Sequence, residues 1–213
     1  MDIDRAEALR YLGYMRGQQP DAQTESVLNA CIPTLQNAAS FHAVHLRVSV
    51  ETEGEDILLG PLRVQSRGLS RHLEGCAEAY LFAATLGAGV DRLMQLYSRT
   101  DMPAAVILQA CAAALLESCC DEAQEAIAAG LKDGLTLRPR FSPGYGDLTL
   151  ECQPDILRIL DAPKKIGLSC TETNMLTPTK SITAIMGIRP GKRQHMAHDC
   201  SNCNLTLCAY KKE

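Results

Sequence analysis

Arg138-Pro139-Arg140-Phe141-Ser142-Pro143-Gly144-Tyr145-Gly146-Asp147 packs two prolines, two glycines and two aromatic residues into ten positions. Proline fixes φ and removes a backbone donor, so this segment cannot be helix and is poor as a central strand. It is expected to run extended, with carbonyl groups free to accept from a ligand. Gly144 permits close backbone approach, Arg140 supplies a fixed fork of donors for a carboxylate, and Tyr145 offers a ring face with a polar tip. A ligand with an amino-acid end, a cationic sulfur and an aromatic base suits such a strip. An ordered surface loop is the other reading of the same residues.

Upstream of the strip, Asp101 reads as the N-cap of a long helix over 103–129, with Pro103 early and Gly130 just past its end. It is Ala-rich and apolar on several faces, which predicts a buried central element. Two helices are expected at the N-terminus. The first spans 4–16, with Leu9, Leu12 and Met15 on one face; the second opens at Pro20-Asp21, where Pro33 should kink or end it. Residues 42–50 alternate as a strand, 57–60 resume an extended run, 67–74 form a short helix and 79–85 an apolar strand. Downstream, a strand near 134–138 precedes an irregular stretch 139–152, a helix near 154–161, and strands at 165–170 and 181–188. The connections after residue 130 suit a mixed or antiparallel sheet, hence an α+β fold. The expected division is an N-terminal helical segment 1–40 packed on an α+β domain 41–190, followed by a Cys/His-rich tail 191–213.

Leu86-Gly87-Ala88-Gly89 lies between the apolar strand and a helix over 90–98, the order used by nucleotide-binding turns. Arg92 stands where a third glycine would be, and no acidic residue closes a second strand, so a purely structural turn is favoured. His42 and His45, three apart on a strand, point to opposite faces; His72 is expected on a helix surface.

The 213 residues suffice for a sizeable core, and 46% hydrophobic with 22% charged content is that of a globular chain. A net charge of -4 and the lack of a basic stripe argue against nucleic acid as a partner. No run of about 18 uncharged apolar residues suggests a membrane span. Met1-Asp2-Ile3-Asp4 lacks the basic-then-apolar order of a signal peptide, so a cytoplasmic location is expected.

Two blocks carry a family resemblance. Arg140-x-x-Pro143-Gly144-Tyr145, and Leu168-Ser169-Cys170-Thr171-Glu172-x-x-Met175-x-x-Pro178-x-x-Ser181 after an intervening helix, resemble the signatures of the reactivation domain of cobalamin-dependent methionine synthase. The likeness covers roughly 103–190. It implies a C-shaped α+β structure around a twisted, mostly antiparallel sheet with flanking helices. It also implies binding of S-adenosylmethionine in a shallow groove, and capping of cobalamin held by a partner such as methionine synthase or another corrinoid protein. In that family a methyl group from S-adenosylmethionine and an electron from a flavodoxin-type donor restore methylcobalamin. The ligand contacts carry over to Arg140, Pro143, Gly144 and Tyr145, with Glu117 standing for a glutamate on the preceding helix. After Tyr145 the family continues with Pro-Ala-Cys-Pro, whereas this chain has Gly146-Asp147-Leu148-Thr149. No counterpart of the family's N-terminal aspartate is evident, and no Asp-x-His-x-x-Gly cobalamin motif is present, so any corrin would arrive on a partner. Reductive chemistry at that cobalt needs no catalytic side chain here.

Among ten cysteines, Cys111, Cys119 and Cys120 fall inside the long helix as small apolar residues. Cys200, Cys203 and Cys208, near His195 and His198, have a spacing suited to zinc or an iron–sulfur cluster, with Cys170 or Cys152 as a further ligand. A non-catalytic corrinoid-associated scaffold with a metal-binding tail is the alternative to the reactivation role, and a redox protein built on that tail is a third.

Overall fold

The computed structural model describes residues 1–15 and 17–191. In chain order the helices and strands are α1 (Arg5–Tyr11), α2 (Ala22–Ala38), β1 (His42–Glu53), β2 (Asp56–Leu59), β3 (Leu62–Gln65), α3 (Arg67–His72), β4 (Glu78–Thr85) and α4 (Ala88–Thr100). There follow α5 (Met102–Ala129), β5 (Leu135–Leu137), α6 (Gln153–Leu160), α7 (Ala162–Ile166), β6 (Ser169–Cys170), β7 (Leu176–Thr177) and β8 (Ser181–Pro190). Six strands form one antiparallel sheet in the order β3-β2-β1-β4-β8-β5, and β6 and β7 make a separate hairpin.

The sheet is covered on both faces, and the apolar run 79–85 shows why. Tyr80, Phe82 and Ala84 meet the core formed with α1, α2, α4 and α5, while Ala79, Leu81 and Ala83 meet the core formed with α3, α6 and α7. A strand with two buried faces loses the polar-apolar alternation that a half-exposed strand shows. β8 does the same opposite it, with Ala184 and Met186 on one side and Ile185 on the other.

α5 is the axis of the larger core. Asp101 accepts from Ala104 N at 3.1 Å to cap it, and fourteen of its residues are buried. Its most apolar window is long enough to cross a membrane, but 67% of that window lies inside the protein, packed by α1, α2 and α4. Alanine and cysteine on most faces let three helices approach it closely.

Several expected boundaries move. α1 stops at Leu12, because Gly13 turns at φ +91°, and Met15 is exposed rather than on a core face. Pro33 does not end α2. It lies on the exposed side, where water can serve the carbonyl its missing N–H would have bonded. Of the strand expected at 165–170 only Ser169–Cys170 is extended; Lys165 and Ile166 end α7, which is bracketed by Asp161 and Gly167 in left-handed conformations.

Candidate functional site

The site is built by a register slip at the sheet edge. β5 pairs with β8 so that Leu137 faces Ile188, but the Phe141–Ile185 bridge is one residue out of that register. One extra residue in 138–140 makes a bulge, which reverses the alternation of side chains along the strand. Leu137 accordingly packs in the core beneath α5, and Phe141 packs on the opposite face. Arg140, next to Phe141, is thereby turned toward α5.

α5 receives it with a stripe of acceptors at helical spacing. Arg140 Nη2 donates to Glu117 Oε2 and to Asp121 Oδ1, both at 2.8 Å, and Nη1 donates to Gln124 Oε1 at 2.9 Å. The arginine side chain is only 7% exposed, whereas Glu117 and Asp121 are 36% and 54% exposed. One guanidinium against two carboxylates leaves a negative excess on the wet side of the cluster. The structure thus brings Arg140 and Glu117 together, with the arginine fork gripping the helix. Cys120 is a neighbouring buried thiol, pushed up to about 12 by burial, so it stays neutral.

The segment 142–145 is a turn rather than a continued extended run. Tyr145 N donates to Ser142 O at 3.1 Å across Pro143 and Gly144, and Gly144 has φ +93°. That is the positive φ a type II turn requires at its third residue, with proline preferred at the second. Backbone carbonyls expected to await a ligand are engaged internally: Phe141 O accepts from Ile185 N at 2.8 Å and Tyr145 O from Leu148 N at 3.1 Å. What the turn presents outward is the Tyr145 ring, 62% exposed and tilted against Phe141 with centroids 6.2 Å apart. Ser142 Oγ is buried and has no hydrogen-bond partner within the described chain.

Three contributors were not singled out as functional in the sequence: Ser142, His72 and Asp147. His72 is not a free surface residue. Its ring lies 5.1 Å from the Phe141 ring, and its Nε2 is 3.0 Å from Pro139 O, a carbonyl that can only accept. Burial first, and the Arg138 charge second, lower its pKa to about 4, so the ring is neutral and Nε2–H donates. The unfolded imidazole titrates near 6.5, so the unfolded chain binds more protons than the folded one between pH 4 and 6.5. Stability should therefore rise with pH across that window, His72 contributing about 2 kcal/mol given its partial exposure. Urea unfolding of the wild-type chain and of His72→Gln at pH 4.5 and 7.5 checks this, since the wild type should lose stability relative to the variant at the acid end. A constant difference would show that the imidazole is not held neutral.

The second block is tied to α6 and β4. Gln153, 5% exposed, accepts from Thr183 Oγ1 at 2.9 Å and donates to Asn174 O, joining α6 to β8 and to the β6–β7 hairpin. Ser181 Oγ donates to Thr85 Oγ1 at 2.8 Å, and Glu172 is exposed. On the β1 side of the sheet is a separate groove of about 410 Å³, between Ala43, His45, Tyr80 and Phe82 of the strands, Ala126 of α5 and Gly130 just past its end. None of the residues predicted to bind a ligand lines it.

Among the described residues no group of three or more His, Cys, Asp or Glu is placed to hold a metal. Cys200, Cys203 and Cys208, with His195 and His198, lie outside the described residues. Cys152 is buried, its thiol pushed up to about 11 by burial, and Cys170 is half-buried.

No protein-family model matches the sequence, and no curated protein is significantly similar to it. A solved structure is: the MetH reactivation domain bound to AdoHcy superposes with a TM-score of 0.66 at 17% identity, over 91% of this chain and 76% of that one. The chain has a reactivation-domain-like fold. The antiparallel sheet, its flanking helices and the N-terminal helix pair are thus accounted for by one known architecture, the one that the two sequence blocks resemble.

Proposed function

We propose that this chain is a reactivation subunit that binds S-adenosylmethionine at the Arg140–Tyr145 turn and presents it to a cobalamin carried by a partner protein. The observation that carries the reading is the joining of Arg140 to Glu117, five residues before an outward-facing Tyr145 in the chain, within a reactivation-domain-like fold. The chemistry of the ligand fits what is there. Its ammonium and sulfonium groups suit the negative excess at Glu117 and Asp121, and its adenine suits the exposed Tyr145 ring. Methyl transfer from the sulfonium, with an electron from a flavodoxin-type donor, would restore the partner's methylated corrinoid and leave S-adenosylhomocysteine. Pro143 and Gly144 shape the turn, and the cysteine tail is proposed as a zinc or iron–sulfur site.

Calorimetric titration with S-adenosylmethionine and S-adenosylhomocysteine tests the reading. Binding should be saturable, and Tyr145→Ala should weaken it about tenfold while leaving the thermal midpoint unchanged, because the ring is mostly in water. A folded wild-type chain that releases no heat at millimolar ligand would leave the non-catalytic corrinoid-associated scaffold as the better account. Co-purification with a cobalamin-bearing methionine synthase in either cobalt oxidation state checks the partner.

A further inference from the structure

We infer that α3 is a brace that fixes the ligand-facing turn from both ends, with His72 and Asp147 as positioning residues. The two ends of the segment 139–147 are tied to opposite ends of this one short helix. At the C-terminal end of α3, His72 Nε2 donates to Pro139 O at 3.0 Å, immediately before Arg140. At its N-terminal end the Asp147 carboxylate, two residues past Tyr145, accepts from Ser66 Oγ at 2.6 Å, Arg67 N at 2.7 Å and Gly68 N at 3.0 Å. These three bonds hold the Asp147 carboxyl down at about 2.

The brace is itself anchored. Ser66 N donates to Glu55 O at 2.9 Å and Ser70 Oγ to Gly54 O at 2.6 Å, while Leu69 and Leu73 are buried in the smaller core. Gly68 is the point of closest approach: a Cβ there would lie 3.1 Å from Asp147 Oδ1 and 3.4 Å from Phe141 Cζ. The glycine thus admits both the clamp carboxylate and the aromatic ring against which Tyr145 leans. Asp147 also falls where the sequence departs from the resembled family just after Tyr145, so in this chain an acidic clamp sets the far end of the turn.

The inference rests on the S-adenosylmethionine reading for its functional half, and the experiment separates the two. Hydrogen–deuterium exchange of the peptide 139–149, with 104–115 of α5 as internal control, is measured for the wild-type chain, His72→Ala, His72→Gln, Asp147→Ala and Gly68→Ala. S-adenosylhomocysteine affinity and thermal midpoint are recorded on the same samples. His72→Ala and Asp147→Ala should each speed exchange of 139–149 and weaken binding about tenfold, leaving the control peptide unchanged. His72→Gln, whose amide can still donate to Pro139 O, should recover most of both losses, which a general loss of packing would not allow. Gly68→Ala, which suits a helix better than glycine, should weaken binding without lowering the midpoint. Unchanged exchange at 139–149 in both alanine variants overturns the brace. Faster exchange with undiminished affinity overturns the positioning role. If the wild-type chain binds no ligand, the function reading falls and the exchange data alone decide the brace.

Discussion

Gly89→Ala should destabilise the chain by on the order of 3 kcal/mol, lowering the thermal midpoint by roughly 10 °C. The Leu86-Gly87-Ala88-Gly89 segment has the look of a phosphate-binding turn, but each glycine has a structural reason to be there. A Cβ on Gly89 would lie 2.2 Å from the carbonyl oxygen of Ala38, the last residue of α2. The obstacle is backbone, so no side chain can swing away, and α2 and α4 would have to separate. Gly87 serves a different need: its φ is +81°, where L side chains are strained, and it is the N-cap from which α4 starts. The double variant Ala38→Gly with Gly89→Ala should be no more stable than Gly89→Ala, because deleting the Ala38 methyl leaves the carbonyl in place. Guanidinium unfolding measures both. A Gly89→Ala chain within 1 kcal/mol of the wild type would mean that the helices do not meet at this distance.

The same segment shows what can be read in a sequence and what cannot. A strand, two glycines and a helix follow from local preference, and so do the capped helix after Asp101 and the apolar run at Ala79–Thr85. Those features depend on neighbours within a few residues. The contact between Gly89 and Ala38 does not, and neither does the clamp of Asp147 on Ser66, Arg67 and Gly68. Such pairings leave no periodic trace. β3 has an alternating pattern, but four residues after Gly60-Pro61 are too few to mark a strand until β2 is there to pair with them. The end of α7 reads as strand because Ile166 and Leu168 alternate, while Pro163 at the start of a single turn of helix is a weak cue. At the site, the residue types at Arg140 and Glu117 were legible. The bulge that joins them was not, because one extra residue in an edge strand has no compositional signature.

That bulge makes Arg140→Ala the second large effect, a loss of about 3 kcal/mol even without ligand. Removing the guanidinium leaves Gln124, 4% exposed, without this donor, and sets Glu117 and Asp121 against one another four residues apart on α5. Breaking a buried pair costs more than forming it gains, since the remaining charge stays desolvated. Here the two carboxylates are 36% and 54% exposed and can rehydrate, which holds the loss at the lower end of the usual range. Arg140→Lys should recover less than half, because a point-like ammonium cannot span three acceptors on two turns of helix. Arg140→Ala combined with Glu117→Gln and Asp121→Asn should regain stability by removing the stranded negative charge, yet should not regain S-adenosylmethionine binding if those carboxylates hold its ammonium or sulfonium. Urea unfolding and ligand titration of these variants keep the two roles of the cluster apart. Equal losses for Arg140→Ala and the triple variant would show that the arginine stabilises the edge by packing alone.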